Sequence, residues 1–512
     1  MKRIIAVLLG FSLLCGLAGC ATEKAPESFG AESRRESSTP VESARVSSMT
    51  VTEPGGYAHR EPVFHGWDGS DTLYPHAVIT QPLVNDPFAF EQGALITTET
   101  QLNYLDFASG QLVPFCFRPN CQHNSEDCNS MRSKRIWSFV ANNKFYYLDG
   151  SSARAVYDDE LESYVGEIDL YVSLLNGSDE KKVTSLRTDM DIAGDEVMLF
   201  LNVPGISQLV LYGDSAFIFY TLRRSPYSIP EPGQLDRHDD PEDFYGHCYV
   251  TEIDLKTDKV VRTEVLNTGY DPQVYPVCAY GGGIYLWLSR YDEPIVPQVT
   301  GNNIYFEGEV LTADEYFDAI QDRVTETYVR YDIVTGEMEP RDDLYPDEYG
   351  GPLVGNTIWD GRLLPHLVLR GAAGDWCIVR DADIKAYNMA TGEVQSLYEN
   401  IPEEVRGSSG KSPGVSQVGD GTLLKIWATH EEKPKMILYD LETKEFHELG
   451  NSRNEAGEEI FLSEIFGQNG NFLYGVVCGM SSDTGGYPVI GYGRFDVSDG
   501  YDKPKFEMML PV

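Results

Sequence analysis

Basic residues are scarce in this chain: 40 Lys and Arg stand against 80 Asp and Glu, for a formal charge of −40. That balance excludes a nucleic-acid binder relying on a basic footprint, and it supplies no attraction to anionic lipid. Long apolar runs are missing too. No stretch reaches the roughly 18 consecutive apolar residues of a membrane-spanning helix. Helical periodicity is thin from about residue 86 onward. Catalytic motifs are equally sparse. Gly410-Lys411-Ser412-Pro413-Gly414 has the Gly-x-Ser-x-Gly form. It lies among loop residues with Pro413 directly after the serine, whereas a nucleophile elbow needs a strand before and a helix after. The same segment ends in Gly-Lys-Ser, but Val405 stands where a phosphate loop needs glycine. No His-Glu-x-x-His occurs. What the chain does have is core material, with 31 Tyr, 22 Phe and 42% hydrophobic residues, which excludes a disordered acidic tail.

The first residues read as an address. Lys2 and Arg3 precede an apolar run of eleven residues, Ile4 to Leu14, too short for a stable span. Leu17-Ala18-Gly19-Cys20 follows and resembles a bacterial lipobox in order, spacing and flanks. The resemblance implies diacylglyceryl transfer to the Cys20 thiol and cleavage before it. Residues 1–19 are therefore expected to be a lipoprotein signal peptide, and their removal takes the charge to −42. Residues 20–75 read as a Ser/Glu/Pro-rich flexible tether, and residues 76–512 as the folded domain.

A short repeat organises that domain. An aromatic or aliphatic residue, then Asp or Asn, then a turn closed by Gly, Lys or Asp recurs at Asp106, Asp254, Asp332, Asn388, Asp440 and Asp496, with Ser173 in the same role. The marked carboxylate or amide can accept from free turn amides, and Gly takes the positive φ that closes the hairpin. The spacings are 67, 81, 78, 56, 52 and 56 residues, about 61 per unit. A unit of four short strands fits that length, and radial repetition of such units is a β-propeller. The expected fold is all-β, a propeller of seven four-stranded blades with one short helix in an inserted loop. The repeat lacks the Trp-Asp ending of WD repeats, and the six Trp do not recur in step as in quinone-dehydrogenase propellers.

Within each unit the strand before the mark is B, the marked strand C, and the strand after the turn D. The B-to-C connection is expected to be about 18 residues long in the second blade, about 25 in the third and about 36 in the fourth. Equivalent connections emerge on one face, so three adjacent insertions predict a wall on one rim, where binding usually resides. The candidate binding residues are Tyr227, Asp239, Asp240, Glu242, Phe244, Tyr245, Tyr305 and Phe306. Aromatics beside carboxylates suit stacking on sugars or gripping cations, and they equally suit pinning long loops down. Thr312-Ala313-Asp314-Glu315 is a capping box with Phe317, Ile320 and Val324 at helical spacing behind it.

Nine cysteines are present; Cys15 leaves with the signal and Cys20 carries lipid. Cys248, Cys278, Cys377 and Cys478 stand singly in apolar strand contexts and read as buried free thiols. Cys116, Cys121, His123 and Cys128 form Cys-x4-Cys-x-His-x4-Cys, turned by Pro119 and Asn120. The spacing suits a tetrahedral zinc set, a disulfide with one free thiol, or unlinked thiols. Four protein ligands would fill a zinc ion's positions, which makes any such metal structural. Together with the lipobox and tether, Pro114-Phe115-Cys116, Arg118-Pro119-Asn120-Cys121 and Cys128-Asn129 resemble a group of exported propeller-like lipoproteins of Firmicutes with no assigned activity. The resemblance is concentrated in residues 101–150 and implies no catalytic residue.

The expected function is a lipid-anchored, extracytoplasmic, non-catalytic module that binds a glycan, small ligand or protein on the insertion-bearing rim. The alternative is a carbohydrate-active enzyme, a glycosidase or lyase, using carboxylates on the same rim. The chain is read as a monomer, held to the membrane by lipid alone, with no cofactor expected beyond a structural zinc where the cysteine cluster holds metal in place of a disulfide.

Overall fold

The computed structural model describes most of residues 72–341 and 376–511, with short breaks and longer ones at 224–244 and 398–413. The described elements are strands, arranged as successive antiparallel meanders in chain order. The first comprises Phe88–Phe90, Gly93–Thr97, Leu102–Asp106 and Gln111–Pro114. The second comprises Arg135–Ala141, Lys144–Asp158, Ser163–Leu174 and Lys181–Thr188. The third and fourth share one sheet, because Lys259–Tyr280 pairs first with Tyr245–Asp254 and then with Gly283–Tyr291. A three-stranded meander follows (Trp376–Arg380, Ile384–Asn388, Val394–Ser396), then one from Gly414–Gln417 to Phe446–Leu449. The last meander is built on Glu459–Asn469, Phe472–Gly479, Val489–Asp496 and Lys505–Pro511. Meanders in series that pack face to face and return to the first are a β-propeller.

Asp106, Asp254, Asp332, Asp440 and Asp496 end third strands, as the repeat predicts; Asn388 ends the second described strand of its meander, and Ser173 departs from the pattern, its Oγ donating to Leu174 O at 3.0 Å. Asp254, Asp332 and Asp440 each accept two turn amides through Oδ1 at 2.8–3.0 Å. Asn388 accepts the Thr391 amide at 2.9 Å. Four residues after the mark, Gly110, Asp258, Gly336 and Lys444 take φ of 56–78° and donate N–H back to the marked carbonyl at 2.7–2.8 Å. The aromatic before the mark has its own task. Tyr331 OH donates to Glu264 at 2.8 Å and Tyr439 OH to Gln395 at 3.1 Å, each on the outer strand of the preceding meander. The repeat thus encodes the turn and the blade-to-blade bond together.

Outer strands alternate exposed and half-buried residues, as in Gln111–Pro114, while second strands are almost wholly buried, as in Ser215–Arg223. The core therefore lies between meanders. One cluster spans the first three, with Phe139, Tyr146, Leu170 and Ile218 fully buried. Another joins the third and fourth. Phe107 stacks on Tyr474 at 4.8 Å, so the last meander packs on the first and closes the ring. All strands of that last sheet come from the C-terminal segment, so closure is by side-chain packing. The N-terminal strand Tyr74–Thr80 instead pairs with Ile206–Gly213, on the inner edge of the third meander.

Two insertions differ from expectation. The second meander's B-to-C segment is not a long loop: its strands run on as a hairpin paired from Arg154↔Glu167 to Asp158↔Ser163. Val156↔Val165 and Tyr157↔Tyr164 are β-branched and aromatic cross-strand pairs, which favour pairing over a free loop. The fourth meander's insertion carries a small sheet, Gln298–Thr300, Asn303–Phe306 and Glu309–Leu311, before the capping box. The box forms as expected: Thr312 N and Oγ1 donate to Glu315 Oε2, and Glu315 N donates to Thr312 Oγ1. Glu315, Ala319 and Ile320 have helical backbone, but no complete helix lies among the described residues.

Candidate metal centre

In an antiparallel meander, the connection from D to the next A leaves the same face as the B-to-C connection. Cys116 follows the outer strand of the first meander, so the Cys/His loop belongs on the insertion-bearing face. The contacts agree. Gln101, in that meander's B-to-C turn, donates from Nε2 to His123 O at 2.8 Å, and Leu102 N donates to Ser130 O at 2.7 Å. Phe115 is buried against Phe145 with ring centroids 4.4 Å apart, which seats the start of the loop on the second meander. Asn120 and His123 both take positive φ, at 62° and 56°, and this irregular backbone lets Cys-x-His face inward.

The four ligand atoms of Cys116, Cys121, His123 and Cys128 lie within 4.8 Å of one another. Cys128 Sγ is 3.5 Å from His123 Nδ1. A tetrahedron with Zn–S near 2.3 Å and Zn–N near 2.0 Å has edges of roughly 3.5–3.8 Å, so this pair already has the right separation. Three thiols and an imidazole are also a standard structural zinc donor set. Among the cysteines whose side chains are described, Cys116, Cys121, Cys128, Cys248 and Cys478 are free thiols.

Hydrogen bonds organise the sulfurs. Ser130 N donates to Cys128 Sγ at 3.4 Å, and Ser130 Oγ is 3.0 Å from the same sulfur. Burial of Cys128 disfavours its thiolate, but the bonds from Ser130, with His123 and Cys121, outweigh burial and bring the thiol down to about 6. His123 N donates to Cys121 Sγ at 3.4 Å. That bond favours the Cys121 thiolate; burial and the neighbouring Cys128 and Cys116 thiols outweigh it and push the group up. Sequence reasoning missed Ser130 and Gln101. Ser130 stands two residues past a ligand, a spacing that suits N–H···S bonding, while Gln101 carries no signal at all.

The rim candidates are scattered. Tyr227, Asp239, Asp240, Glu242 and Phe244 lie outside the described residues. Tyr245 is half-buried and packs edge-on against Tyr270 at 5.4 Å and His247 at 5.8 Å. Tyr305 lies on Asn303–Phe306. Phe306 is buried with Ile320, and the Arg323 guanidinium sits 5.1 Å over its ring. Leu161 at the second meander's hairpin tip is fully buried in the main core. Phe306 and Leu161 thus hold their insertions down on the scaffold. Of the single-strand cysteines, Cys248 and Cys478 are buried. Cys278 and Cys377 lie on strands.

No known family model matches the chain. No curated protein matches it either. Among solved structures, Pyrococcus horikoshii acylaminoacyl peptidase matches over 86% of this chain with 10% identity and a TM-score of 0.39. The chain spans about half of that enzyme, 53% of its length. The β-propeller domain of the Trilobed protease from Pyrococcus furiosus matches over 85% of this chain and 98% of its own, with 7% identity and a TM-score of 0.36. An oligogalacturonate lyase in complex with manganese matches over 85% of this chain and 78% of its own, with 10% identity and a TM-score of 0.28.

Proposed function

We propose that this chain is a lipid-anchored extracytoplasmic propeller of seven blades that binds a ligand or partner protein without catalysis. The lipobox at Leu17 to Cys20 supports the anchor, and marked turns at seven positions support the blade number. Zinc held by Cys116, Cys121, His123 and Cys128 is a structural clamp in this reading. It cross-links the first D-to-A loop on itself, and Gln101 of the neighbouring B-to-C turn holds that loop by donating to His123 O at 2.8 Å. With four protein ligands the ion has no open position for substrate, so its contribution is to stiffen the rim.

The observation that carries the binding role is the gathering of insertions and cysteine cluster on one face of a rigid scaffold. Pull-down and glycan-array screening of the lipidated protein, with and without residues 223–247, tests it. Loss of a captured ligand on deletion supports the rim, and unchanged capture removes it. Glycan turnover that disappears when Asp239, Asp240 and Glu242 are replaced together would convert the reading to a carbohydrate-active enzyme.

A further inference from the structure

We infer that the face carrying the marked turns is turned toward the lipid surface, and that the insertion-bearing rim with its cysteine cluster points away from it. The inference rests on the lipid anchoring proposed above and adds a direction to it.

The N-terminal strand supplies the direction. Tyr74 pairs with Gly213, and Thr80 with Leu209. Gly213 lies at the A-to-B turn of the third meander, which is on the marked-turn face by the same alternation that puts D-to-A and B-to-C connections together. Leu73 N donates to Asp214 Oδ1 at 3.0 Å, and Tyr74 OH accepts from Asn142 N at 3.2 Å, both at A-to-B turns. The chain therefore enters at the marked-turn face, beside the inner strands, and climbs toward the rim. Ala77 and Ile79 are buried among residues of the third and fourth meanders, which holds this path in place.

Tether length decides whether the entry side matters. The 52 residues from Cys20 to Asp71 have a composition that gives a root-mean-square reach of roughly 36–43 Å. With the marked turns down, that reach is free slack. With the rim down, the tether must first cross a blade of four strands plus the added inner one, about 19 Å, and then the length of an eight-residue strand, about 26 Å. The detour of about 45 Å uses the whole mean reach.

The test uses the full chain, made with its leader in a host that lipidates exported proteins. It is reconstituted in phosphatidylcholine and phosphatidylglycerol vesicles containing acceptor-labelled lipid. A donor dye is attached through a bio-orthogonal side chain replacing Glu442, in a marked turn, or Val310, on the rim; both positions are exposed. The expected result is energy transfer from position 442 at least twofold greater than from position 310. Equal or reversed transfer in protein that floats with vesicles overturns the orientation and leaves the anchor standing. Equal flotation of a Cys20→Ala variant overturns the anchor and the orientation with it.

Discussion

Gly110 and Lys444 occupy the same place, four residues after a marked Asp, with φ of 66° and 62°. Only one of them is suited to it. A Cβ on Gly110 would meet Arg494 Nη1 at 2.0 Å, and an L residue in this region costs about 1–2 kcal/mol. Gly110→Ala should therefore lower stability by about that amount in denaturant titration. Lys444→Gly should raise it, because glycine relieves that strain and the surface pair it gives up with Glu393 is exposed and weak. Asp258 fills the equivalent position and pairs with Lys144 at 2.7 Å and Lys181 at 3.0 Å. Burial raises its carboxyl pKa, but Lys144, Tyr146 and Lys181 outweigh burial and hold it below the usual range. A depressed folded value stabilises above the unfolded pKa of about 3.9, and the gain is lost as pH falls through the folded value. Asp258→Asn should cost about 1–3 kcal/mol near pH 7, with the gap to the parent closing below about pH 4. At the metal centre, Cys128→Ser should take bound zinc from about one ion per chain to none in metal analysis, and lower the melting temperature. A zinc-free parent protein purified under reducing conditions would refute the assignment.

The second meander shows how an insertion becomes an element. Asp158 Oδ1 accepts from Glu160 N at 2.9 Å and Leu161 N at 3.0 Å, which shapes the tip so that Leu161 turns into the core. Arg187 pairs with Asp158 from the outer strand. Truncating a fully buried leucine typically costs 2–5 kcal/mol, so Leu161→Ala should destabilise by about 2–4 kcal/mol. It should also speed proteolysis within residues 158–163 before the rest of the sheet is attacked, because the tip loses the apolar side chain that seats it in the core. The sequence pattern showed the extra residues but not their form. Alternation over Arg154 to Asp158 is short, and its partner strand becomes recognisable only when the register Tyr157↔Tyr164 is known.

At the scale of the molecule, the seam between first and last meanders is the vulnerable joint, since among the described residues no strand crosses it. Phe107 O accepts from Asn469 Nδ2 at 2.6 Å and from Tyr474 OH at 3.2 Å, and the Phe107 ring covers Gly467, where a Cβ would approach within 2.2 Å. Phe107→Ala should cost about 3–5 kcal/mol. Hydrogen exchange should quicken in both Gly93–Thr97 and Glu459–Asn469, although the two lie at opposite ends of the domain. Faster exchange confined to the first meander would mean that the seam does not carry closure.

The marked turns and the capping box were readable in advance. Each depends on residues within one hairpin or one helical turn, and the backbone there answers to φ preferences and to side chains a few positions away. The four metal-site residues were readable for the same reason, lying within thirteen positions. The partners that complete these features were not. Gln101 beneath His123, Glu264 waiting for Tyr331, and the Phe107–Tyr474 seam join residues up to 367 positions apart. Such pairings are selected by how curved sheets fit together, so no local pattern carries them. The entry side of the N-terminal strand is of the same kind. Its seven residues suit many sheet edges, and its pairing with Ile206–Gly213 is decided by how the sheets assemble.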